Sequence, residues 1–394
     1  MQDKASAALV IGAGVGGIRA ALDLAESGYK TYLVDSSPAA GGTVPQLDKW
    51  FPDNQCELCK LLPVFSRDEC SQVCLRRDLA HPNIEMLTNT IIEKVDGEAG
   101  NFCVSVKTLS GWVKKERCTA CGLCAGACPV EVPDEYNDGL QNRKAIYVRS
   151  PQAIPNFFSI DYDACTRCGK CVEVCPTNAI DLDLEDESRE LSVGVIIISA
   201  GFQEYDAAEM GQYGFGRFPN VLTNLQAERL LSSTGKTEGG LVRPSDGRTP
   251  EKVAFLQCVG SRDMNRNYCS AACCMYALKE SILIKEKSPG TDVTIFYMDI
   301  RDFGKDYYRY HRKAEELGVK FVRCRVSTIK QNPGTKDLLL LARAEDGTDI
   351  RSEFDMVVLA AAQCPSRRMA ELTGMLGVDT NQWGFVRTQE WRGT

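Results

Sequence analysis

The N-terminal part of the chain alternates short apolar runs with one amphipathic segment. The apolar run AALVI at residues 7–11 leads into the glycine-rich turn GAGVGG. The segment IRAALDLAESG, which follows, has apolar residues at helical spacing, and a second apolar run, TYLVD, ends at Asp35. This order of strand, glycine turn, helix and strand predicts one β-α-β unit.

The glycine turn has the spacing of a dinucleotide-binding loop. Gly12 permits the tight turn, Gly14 lets backbone amides approach a pyrophosphate, and Gly17 permits close packing of helix on strand. The N-terminus of the helix attracts the anion. Asp35, followed by Ser36, is placed to accept hydrogen bonds from ribose hydroxyls. A turn that serves packing alone is the alternative, and the flanking strands, helix and acid favour dinucleotide binding.

Two further small-residue turns bear on which dinucleotide is bound. Gly41 and Gly42 follow the acidic residue, as a second glycine pair often does in flavoproteins with two dinucleotide domains, and this favours FAD over NAD. A flexible loop is the alternative. The run ELSVGVIIISAGFQEYD predicts a strand that ends at Ser199, and Ala200 and Gly201 would let the backbone approach the cofactor, unless they form only a tight turn.

Two cysteine runs have the pattern C-x2-C-x2-C-x3-C followed by proline. They consist of Cys118, Cys121, Cys124 and Cys128, and of Cys165, Cys168, Cys171 and Cys175. In two-cluster ferredoxins the fourth cysteine of each run binds the other cluster. We therefore expect two [4Fe–4S] clusters, one bound by Cys118, Cys121, Cys124 and Cys175, the other by Cys165, Cys168, Cys171 and Cys128. Zinc ribbons have a different cysteine spacing.

Two other groups of cysteines are candidate metal ligands. The first comprises Cys56, Cys59, Cys70 and Cys74, which could enclose a cluster, a zinc ion, or serve as a redox dithiol with structural thiols. The second comprises Cys258, Cys269, Cys273 and Cys274, at the predicted start of a helix, where thiolate charge is stabilised. Against ligation, buried cysteines are common, and adjacent Cys273 and Cys274 cannot point the same way on a regular helix. Single cysteines at 103, 324 and 364 are expected to be ordinary thiols.

Residues 251–304 have a second β-α-β outline. The run VAFLQCVGSR predicts a strand, residues 271–286 a helix, and TDVTIFYMD another strand. The turn between them contains a single glycine, Gly260, so a nicotinamide site of the GxGxxA type is not expected. Further strands are predicted near 319–328, 337–344 and 354–361, and YRYHRKAEELG predicts an amphipathic helix.

Composition narrows the class of protein. The 394 residues are 44% hydrophobic, which suffices for two or three packed domains. The net charge of −7 argues against a nucleic-acid-binding face. Nineteen cysteines bunched at short intervals suit metal ligation in a reducing, cytoplasmic setting better than disulfides. The two histidines disfavour histidine-rich metal sites, and no apolar stretch is long enough to span a membrane.

The chain resembles the flavin-carrying A subunit of heterodisulfide reductase over nearly all of residues 7–390. The resemblance lies in the glycine turn, the double cysteine run, and the segments QCVGSRD, YCSAACCMYALKES and FYMDIRDFGKDYY. It implies a thioredoxin-reductase-like FAD core, several [4Fe–4S] clusters, and flavin-based electron bifurcation in a multi-subunit complex. It also implies a non-standard cluster bound by Cys258, Cys269, Cys273 and Cys274. The implied partners are other subunits of that complex, a hydrogenase- or dehydrogenase-type electron donor, and ferredoxin.

The sequence departs from the family at three points. We do not find the family's N-terminal cysteine-bearing extension, its C-terminal flavin-closing segment or its second ferredoxin region. The segment DECSQVC adds two cysteines to the family's simpler CxxC. We expect a bacterial or truncated member. The alternatives are the A subunit of a quinone-interacting oxidoreductase complex, and a non-catalytic electron-wiring subunit; the intact double cysteine run favours a heterodisulfide reductase-like complex.

These observations predict an α/β flavoprotein with two Rossmann-type dinucleotide domains and an inserted two-cluster ferredoxin domain. We expect the FAD domain at 1–112 and 186–250, the insert at 113–185, a degenerate NAD-type domain at 251–350, and a return to the FAD domain, incomplete at its end, at 351–394.

Overall fold

The computed structural model describes residues 6–48, 79–344 and 346–388. The predicted cysteine group Cys56, Cys59, Cys70 and Cys74 lies outside the described residues. The described residues divide into two compact units, one of residues 6–45, 79–201 and 365–388, the other of residues 46–48, 202–344 and 346–364. None of the helices in the described part of the chain combines the length and the apolar character that a membrane crossing requires.

The first unit is built from short strands and four helices among its described residues. Its strands are β1 (Ala8–Ile11), β2 (Thr31–Val34), β3 (Ile84–Leu87), β4 (Thr90–Glu98), β5 (Asn101–Thr108), β6 (Glu131–Pro133), β7 (Asn142–Lys144), β8 (Ile146–Tyr147), β9 (Ser159–Ile160), β10 (Glu187–Val193) and β11 (Val195–Ile198). Its helices are α1 (Val15–Glu26), α2 (Leu123–Ala127), α3 (Lys170–Glu173) and α7 (Met369–Leu376).

A parallel sheet in the order β11-β1-β2-β3 forms the base of the first unit. The predicted strand, turn, helix and strand are all present, and Val10 of β1 pairs with Leu33 on one side and Ile197 on the other. Helix α1 buries Ile18, Ala21, Leu22 and Ala25, the apolar positions that its sequence repeats every three or four residues. Because β2 and β3 lie on one side of β1 and β11 lies on the other, the carboxyl end of β1 is at the switch point of the sheet, where α/β folds bind ligands.

A three-stranded antiparallel sheet, β10-β5-β4, packs against this core. Leu372 of α7 is buried in the same hydrophobic cluster, so residues after 365 return to the first unit. Cys103 is half-buried on β5, paired with Ser192 of β10.

The cysteine-bearing segment has its own small core. Hairpins β6-β7 and β8-β9 and the short helices α2 and α3 surround it. Its buried side chains include Val113, Ile146, Phe158, Ile160 and Ile180, packed with the cysteines themselves. A core with so little buried apolar surface is only marginally stable by itself. Bound metal clusters commonly stabilise such segments.

The second unit contains a seven-stranded sheet. Its strands and those of a separate two-stranded sheet are β12 (Phe202–Glu204), β13 (Val221–Thr223), β14 (Lys252–Val259), β15 (Asp292–Tyr297), β16 (Lys320–Gln331), β17 (Leu338–Ala344), β18 (Asp349–Phe354), β19 (Met356–Ala361) and β20 (Gln363–Pro365). The helices are α4 (Asn224–Leu231), α5 (Cys273–Lys287) and α6 (Tyr307–Glu316). The large sheet has the order β13-β19-β14-β15-β16-β17-β18, and β12 pairs with β20.

The course of the chain between the units differs from the predicted domain boundaries. Strand β11 lies in the first unit, but β13, which we expected in the FAD domain, pairs with β19. Strand β19, expected in the return to the FAD domain, lies between β13 and β14. All six residues of β19 are buried, as a central strand covered on both faces requires. Residues 202–250 and 351–364 therefore belong to the second unit.

Helices α4 and α5 bury a group of charged side chains. Glu228 and Glu280 are fully buried and Lys279 is nearly so. Lys279 forms an ion pair with Glu228, and Asn224 donates a hydrogen bond to Glu280. Burial and the neighbouring Glu228 carboxylate raise the pKa of Glu280 well above its ordinary value.

Candidate cofactor sites

The glycine turn forms an open cradle at the carboxyl end of β1. Gly12 has φ +103°, and a Cβ there would lie 2.2 Å from the carbonyl oxygen of Ser199. A Cβ on Gly17 would lie 1.7 Å from the carbonyl oxygen of Gly12, so helix and strand touch through these glycines. A Cβ on Gly14 would meet no protein atom within 4 Å. The space above Gly14, beside the N-terminus of α1, is suited to a pyrophosphate.

The end of β11 lies against the same turn. The amide of Ser199 donates to the carbonyl oxygen of Ile11 at 2.7 Å, and a Cβ on Gly12 would lie 3.3 Å from the amide nitrogen of Ala200. Ala200 and Gly201 thus leave the sheet beside the cradle, where the sequence predicted a close approach to a cofactor.

The carboxylate of Asp35 is hydrogen-bonded to the glycine turn and to the residues that follow β2. Its Oδ2 accepts a hydrogen bond from the amide of Ala13 at 2.6 Å, and its Oδ1 accepts one from Ser37 at 2.8 Å. Burial raises the pKa of Asp35, and these hydrogen bonds offset the rise only in part. Ser36 is exposed beside it. Binding of ribose by Asp35 stays a prediction.

The loop with the second glycine pair is fixed to both the turn and the cysteine-bearing segment. The amide of Gly41 donates to the carbonyl oxygen of Ala13 at 2.7 Å, and Gly42 is so close to Gly14 that a Cβ on it would lie 3.0 Å from the Gly14 Cα. The Tyr136 hydroxyl donates to the carbonyl oxygen of Pro45 at 3.0 Å. The segment between the cysteine runs is therefore hydrogen-bonded to the loop that carries the second glycine pair.

The eight cysteines of the two runs surround two cavities in the crossed arrangement that we expected. One cavity, of about 320 Å³, is lined by Cys118, Cys121, Cys124 and Cys175. The other, of about 330 Å³, is lined by Cys128, Cys165, Cys168 and Cys171. Both volumes include space that is open to solvent. Each cavity thus takes three cysteines from one run and the fourth from the other, and ligation of a cluster stays a prediction.

The thiol environments fit ligands that are deprotonated only when metal binds. Burial raises the pKa of Cys124 to about 12, and the nearby Cys118 and Cys121 add to the effect. Burial and the neighbouring Cys165 also raise the pKa of Cys171. A metal-bound thiolate gains charge compensation that a free buried thiolate lacks.

The third cysteine group is brought together in the second unit. Cys258 is the penultimate residue of β14, and Cys273 and Cys274 begin α5. Burial raises the pKa of Cys273 to about 12 and that of Cys274 to about 11, and both are raised further by the other thiols of the group, including Cys269. The four thiols are therefore within electrostatic range of one another, as shared ligation would require.

Local backbone features aim these thiols. The pairing of β14 with β19 shifts register between Leu256 and Val259, and Cys258 has φ +61°, a left-handed conformation. A bulge of this kind re-aims a side chain at the end of a strand. Cys273 Sγ lies 3.4 Å from the carbonyl oxygen of Ala361, and Cys274 Sγ lies 3.8 Å from that of Asp299. The adjacent cysteines thus point toward different strand ends while both stay near Cys258.

Among the described residues, no three His, Cys, Asp or Glu side chains lie close enough to hold a single metal ion. Cysteines that bind a cluster need not meet that condition, because each is bound to a different iron atom.

Sequence reasoning missed several residues that contact the candidate ligands. Arg262, paired with Asp299, lies against Cys258. In the insert, backbone amides and one hydroxyl reach cysteine sulfurs from Phe158, Arg167, Thr177 and Ala179. Backbone donors leave no residue-type signal, whereas the hydroxyl of Thr177, two residues after Cys175, could have been noted.

Family models match both kinds of site. A model described as FAD binding domain matches residues 7–45. Two models described as 4Fe-4S dicluster domain match residues 114–180 and 157–208. The chain is therefore an α/β protein with an FAD-binding domain and a 4Fe–4S dicluster domain, and FAD and [4Fe–4S] clusters are its cofactors.

Curated relatives cover nearly the whole chain. One of the iron-sulfur A subunits of CoB–CoM heterodisulfide reductase in Methanopyrus kandleri, the one numbered 2, is 45% identical over 97% of this chain and 58% of its own length. The A subunit of the H2/formate:CoB–CoM heterodisulfide,ferredoxin reductase of Methanococcus maripaludis is 43% identical over 98% and 58%. The chain thus spans less than two thirds of these relatives. Among solved structures, the thioredoxin reductase of T. acidophilum matches with a TM-score of 0.48 and 12% identity, covering 97% of this chain and 84% of that one.

Proposed function

Because the chain belongs to the family of heterodisulfide reductase A subunits, we propose that it is the flavin and iron–sulfur electron-transfer subunit of such a complex. It takes electron pairs from a partner and divides them into single electrons for its clusters, by flavin-based electron bifurcation. The chain spans 58% of the length of the Methanopyrus kandleri relative. The proposed activity therefore refers to the part of such a subunit that corresponds to this chain.

One observation carries the proposal: the glycine cradle and both four-cysteine cavities lie in the same unit of the fold. The loop of the second glycine pair is hydrogen-bonded to the segment between the cysteine runs. FAD supplies chemistry that accepts electron pairs, and clusters carry electrons singly. A subunit that holds both therefore suits the division of electron pairs.

The residues proposed to hold the cofactors follow from their placement. Those for FAD are Gly12, Gly14, Gly17, Asp35, Ser36, Gly41, Gly42, Ala200 and Gly201. The cluster ligands are Cys118, Cys121, Cys124 and Cys175 at one site and Cys165, Cys168, Cys171 and Cys128 at the other. Cys258, Cys269, Cys273 and Cys274 are proposed to hold a third cluster. No side chain of the protein is required as acid, base or nucleophile.

The proposed partners are the other subunits of a hetero-oligomeric complex, a hydrogenase- or dehydrogenase-type donor, and ferredoxin. The name of the Methanococcus maripaludis relative includes hydrogen, formate and ferredoxin, which supports this choice. Copurification from the native organism, with identification of the bound subunits, tests it directly.

The cofactor proposal is tested on protein purified without oxygen, by iron, sulfide and flavin counts with absorbance spectra. Cys121→Ser should lower the iron by one cluster and leave the flavin unchanged. Cys103→Ser, at a half-buried cysteine outside every proposed site, is the matched control and should keep all the iron. Protein that contains only zinc, or iron unaffected by Cys121→Ser, would contradict the assignment.

A further inference from the structure

We infer that the two clusters of the insert differ in reduction potential, and that the site completed by Cys175 holds an electron more strongly than the site completed by Cys128. The cause is a set of hydrogen-bond donors that faces the sulfur of Cys175 and has no counterpart at Cys128. The inference rests on the proposed function, in that both sites hold [4Fe–4S] clusters.

The two sites are otherwise closely matched. In each run the second cysteine is exposed and the third is buried, with Cys124 at 7% and Cys171 at 8% exposure. The residue before the second cysteine is left-handed in both runs, with φ +54° at Ala120 and +53° at Arg167. Differences in solvent exposure therefore contribute little to any difference in potential.

The first cysteines of the two runs are also balanced. The amide of Phe158 donates to Cys118 Sγ at 3.5 Å, and the amide of Arg167 donates to Cys165 Sγ at 3.3 Å. Each site therefore has one backbone donor at its first cysteine, and these two donors largely cancel in a comparison of the sites.

The fourth cysteines are not balanced. Cys175 Sγ accepts a hydrogen bond from the amide of Ala179 at 3.3 Å, and the hydroxyl of Thr177 lies 3.7 Å from it. Cys128 Sγ instead lies 3.8 Å from the carbonyl oxygen of Val130, an acceptor that has no proton to give to a thiolate. In the part of the chain that the structure describes, no amide or hydroxyl donates to Cys128 Sγ.

The local sequence explains the asymmetry. After Cys175 the chain PTNA makes a turn in which Asn178 has φ +50° and its amide donates to the carbonyl oxygen of Cys175 at 3.2 Å. That turn brings the amide of Ala179 back over the sulfur. After Cys128 the chain runs straight into β6, whose pairing with β7 keeps it extended. Val130, at the position that corresponds to Thr177, has no hydroxyl.

Donors at a ligand sulfur raise the reduction potential, because the reduced cluster carries more negative charge for them to stabilise. One charge acts in the opposite sense, since Arg167 lines the cavity that Cys128 completes. Its guanidinium pairs with Asp183 at 2.7 Å, and its side chain is 48% exposed, so its field at that site is both compensated and screened.

The consequence is a direction for electron flow within the insert. When one electron is shared, its movement oxidises the cluster at the Cys128 site by one electron and reduces the cluster at the Cys175 site by one. The electron is therefore held mainly by the cluster at the Cys175 site. Three ligands of that cluster come from the first cysteine run and one, Cys175, comes from the second.

A reciprocal pair of variants tests this. Thr177→Val removes the hydroxyl at Cys175 without changing side-chain shape, and Val130→Thr introduces one at the corresponding position near Cys128. Both positions are half-buried, so neither substitution opens a cavity in the core. Each variant of the full chain, with iron and flavin counted, is titrated anaerobically while the signal of each reduced cluster is followed by electron paramagnetic resonance.

We expect two resolved one-electron waves from the two clusters of the insert in the unmodified protein, apart from any wave of the third cluster. Thr177→Val should lower only the upper wave, shifting the electron distribution up to about tenfold, which is about 59 mV for a one-electron couple. Val130→Thr should raise only the lower wave. The inference is overturned if Thr177→Val moves the lower wave, if Val130→Thr moves the upper one, or if neither variant moves a wave while both clusters are retained. Absence of two clusters from the unmodified protein would instead overturn the proposed function.

Discussion

The backbone amide of Ala40 donates a hydrogen bond to the carbonyl oxygen of Ile154, over 2.8 Å. Ala40 immediately precedes the second glycine pair of the dinucleotide-binding loop, and Ile154 lies between the two cysteine runs. The insert is therefore hydrogen-bonded to the loop that shapes the proposed FAD site. A substitution that weakens this attachment should therefore alter the binding of FAD, which can be measured.

The contact between Tyr136 and Pro45 is the second attachment at this loop. Tyr136→Phe removes a buried hydroxyl and leaves the carbonyl oxygen of Pro45 without that donor. We expect FAD binding to weaken by up to about fivefold, the equivalent of about 1 kcal/mol for one hydrogen bond. Flavin fluorescence titration measures it. Tyr29→Phe, at a tyrosine 52% exposed, is the control; equal affinities in both variants would show that the attachment does not support the FAD loop.

The open space at Gly14 allows steric exclusion of FAD without damage to the protein. Gly14→Ala places a methyl group where no protein atom lies within 4 Å, so the fold should be kept while bound FAD is lost or reduced at least tenfold. Flavin content and iron content are counted on the same sample. Gly290→Ala, which also meets no atom within 4 Å, should retain full flavin. Full flavin in Gly14→Ala would place the dinucleotide elsewhere.

The third cysteine group contains a test of ligation that separates ligands from neighbours. Cys269→Ser should remove the iron of one site and leave both cluster signals of the insert unchanged. Cys364→Ser, beside the hydroxyl of Tyr268 but outside the proposed set, should keep that iron. Iron analysis and Mössbauer spectroscopy of the two variants show which cysteine binds the cluster. Loss of this iron in Cys364→Ser and its retention in Cys269→Ser would make Cys364 the ligand.

The buried carboxyl of Glu280 predicts a pH dependence of stability. Its pKa in the folded protein is raised above the ordinary value of 4.5, so its contribution is most favourable below that value and is lost as pH rises toward the folded pKa. Glu280→Gln keeps a side chain that can accept from Asn224 and removes this loss. The variant should gain thermal stability relative to the parent at pH 8 and less so at pH 5.

Anaerobic thermal melts at the two pH values measure that difference. Glu251→Gln, at an exposed carboxylate, serves as the control and should show no change in relative stability between them. A Glu280→Gln variant that is less stable than the parent at both values would mean that Glu280 is ionised in the fold, paired with Lys279.

What the sequence could predict was local. The glycine turn and the cysteine runs are defined by spacing along the chain, since a tight turn and a cubane cluster each demand fixed intervals, and they were located without the structure. Pairings between distant segments were not accessible: Lys279 meets Glu228 from 51 residues away, and Ala40 meets Ile154 through loops without regular pattern. Strand β19 was predicted as a strand but placed in the other unit, because an entirely apolar run specifies burial and not its neighbours.

The site of Cys175 also combines a feature that the sequence predicts with one that it does not. The cysteine itself was evident from its run, but the amide of Ala179 faces its sulfur only because Asn178 adopts a left-handed conformation. Backbone geometry of this kind is set by the packing around the turn and leaves little trace in residue type.

The exchange of the fourth cysteine between the two runs has a consequence for biogenesis. On the proposed ligation, a polypeptide severed between Cys128 and Cys165 would possess two incomplete cavities and no complete one. During synthesis, the cavity that includes Cys128 lacks its last ligand until Cys171 has been added, and the other cavity lacks its last ligand until Cys175 has been added. The first cysteine run therefore cannot by itself complete either site, and insertion of both clusters waits for synthesis of the second run.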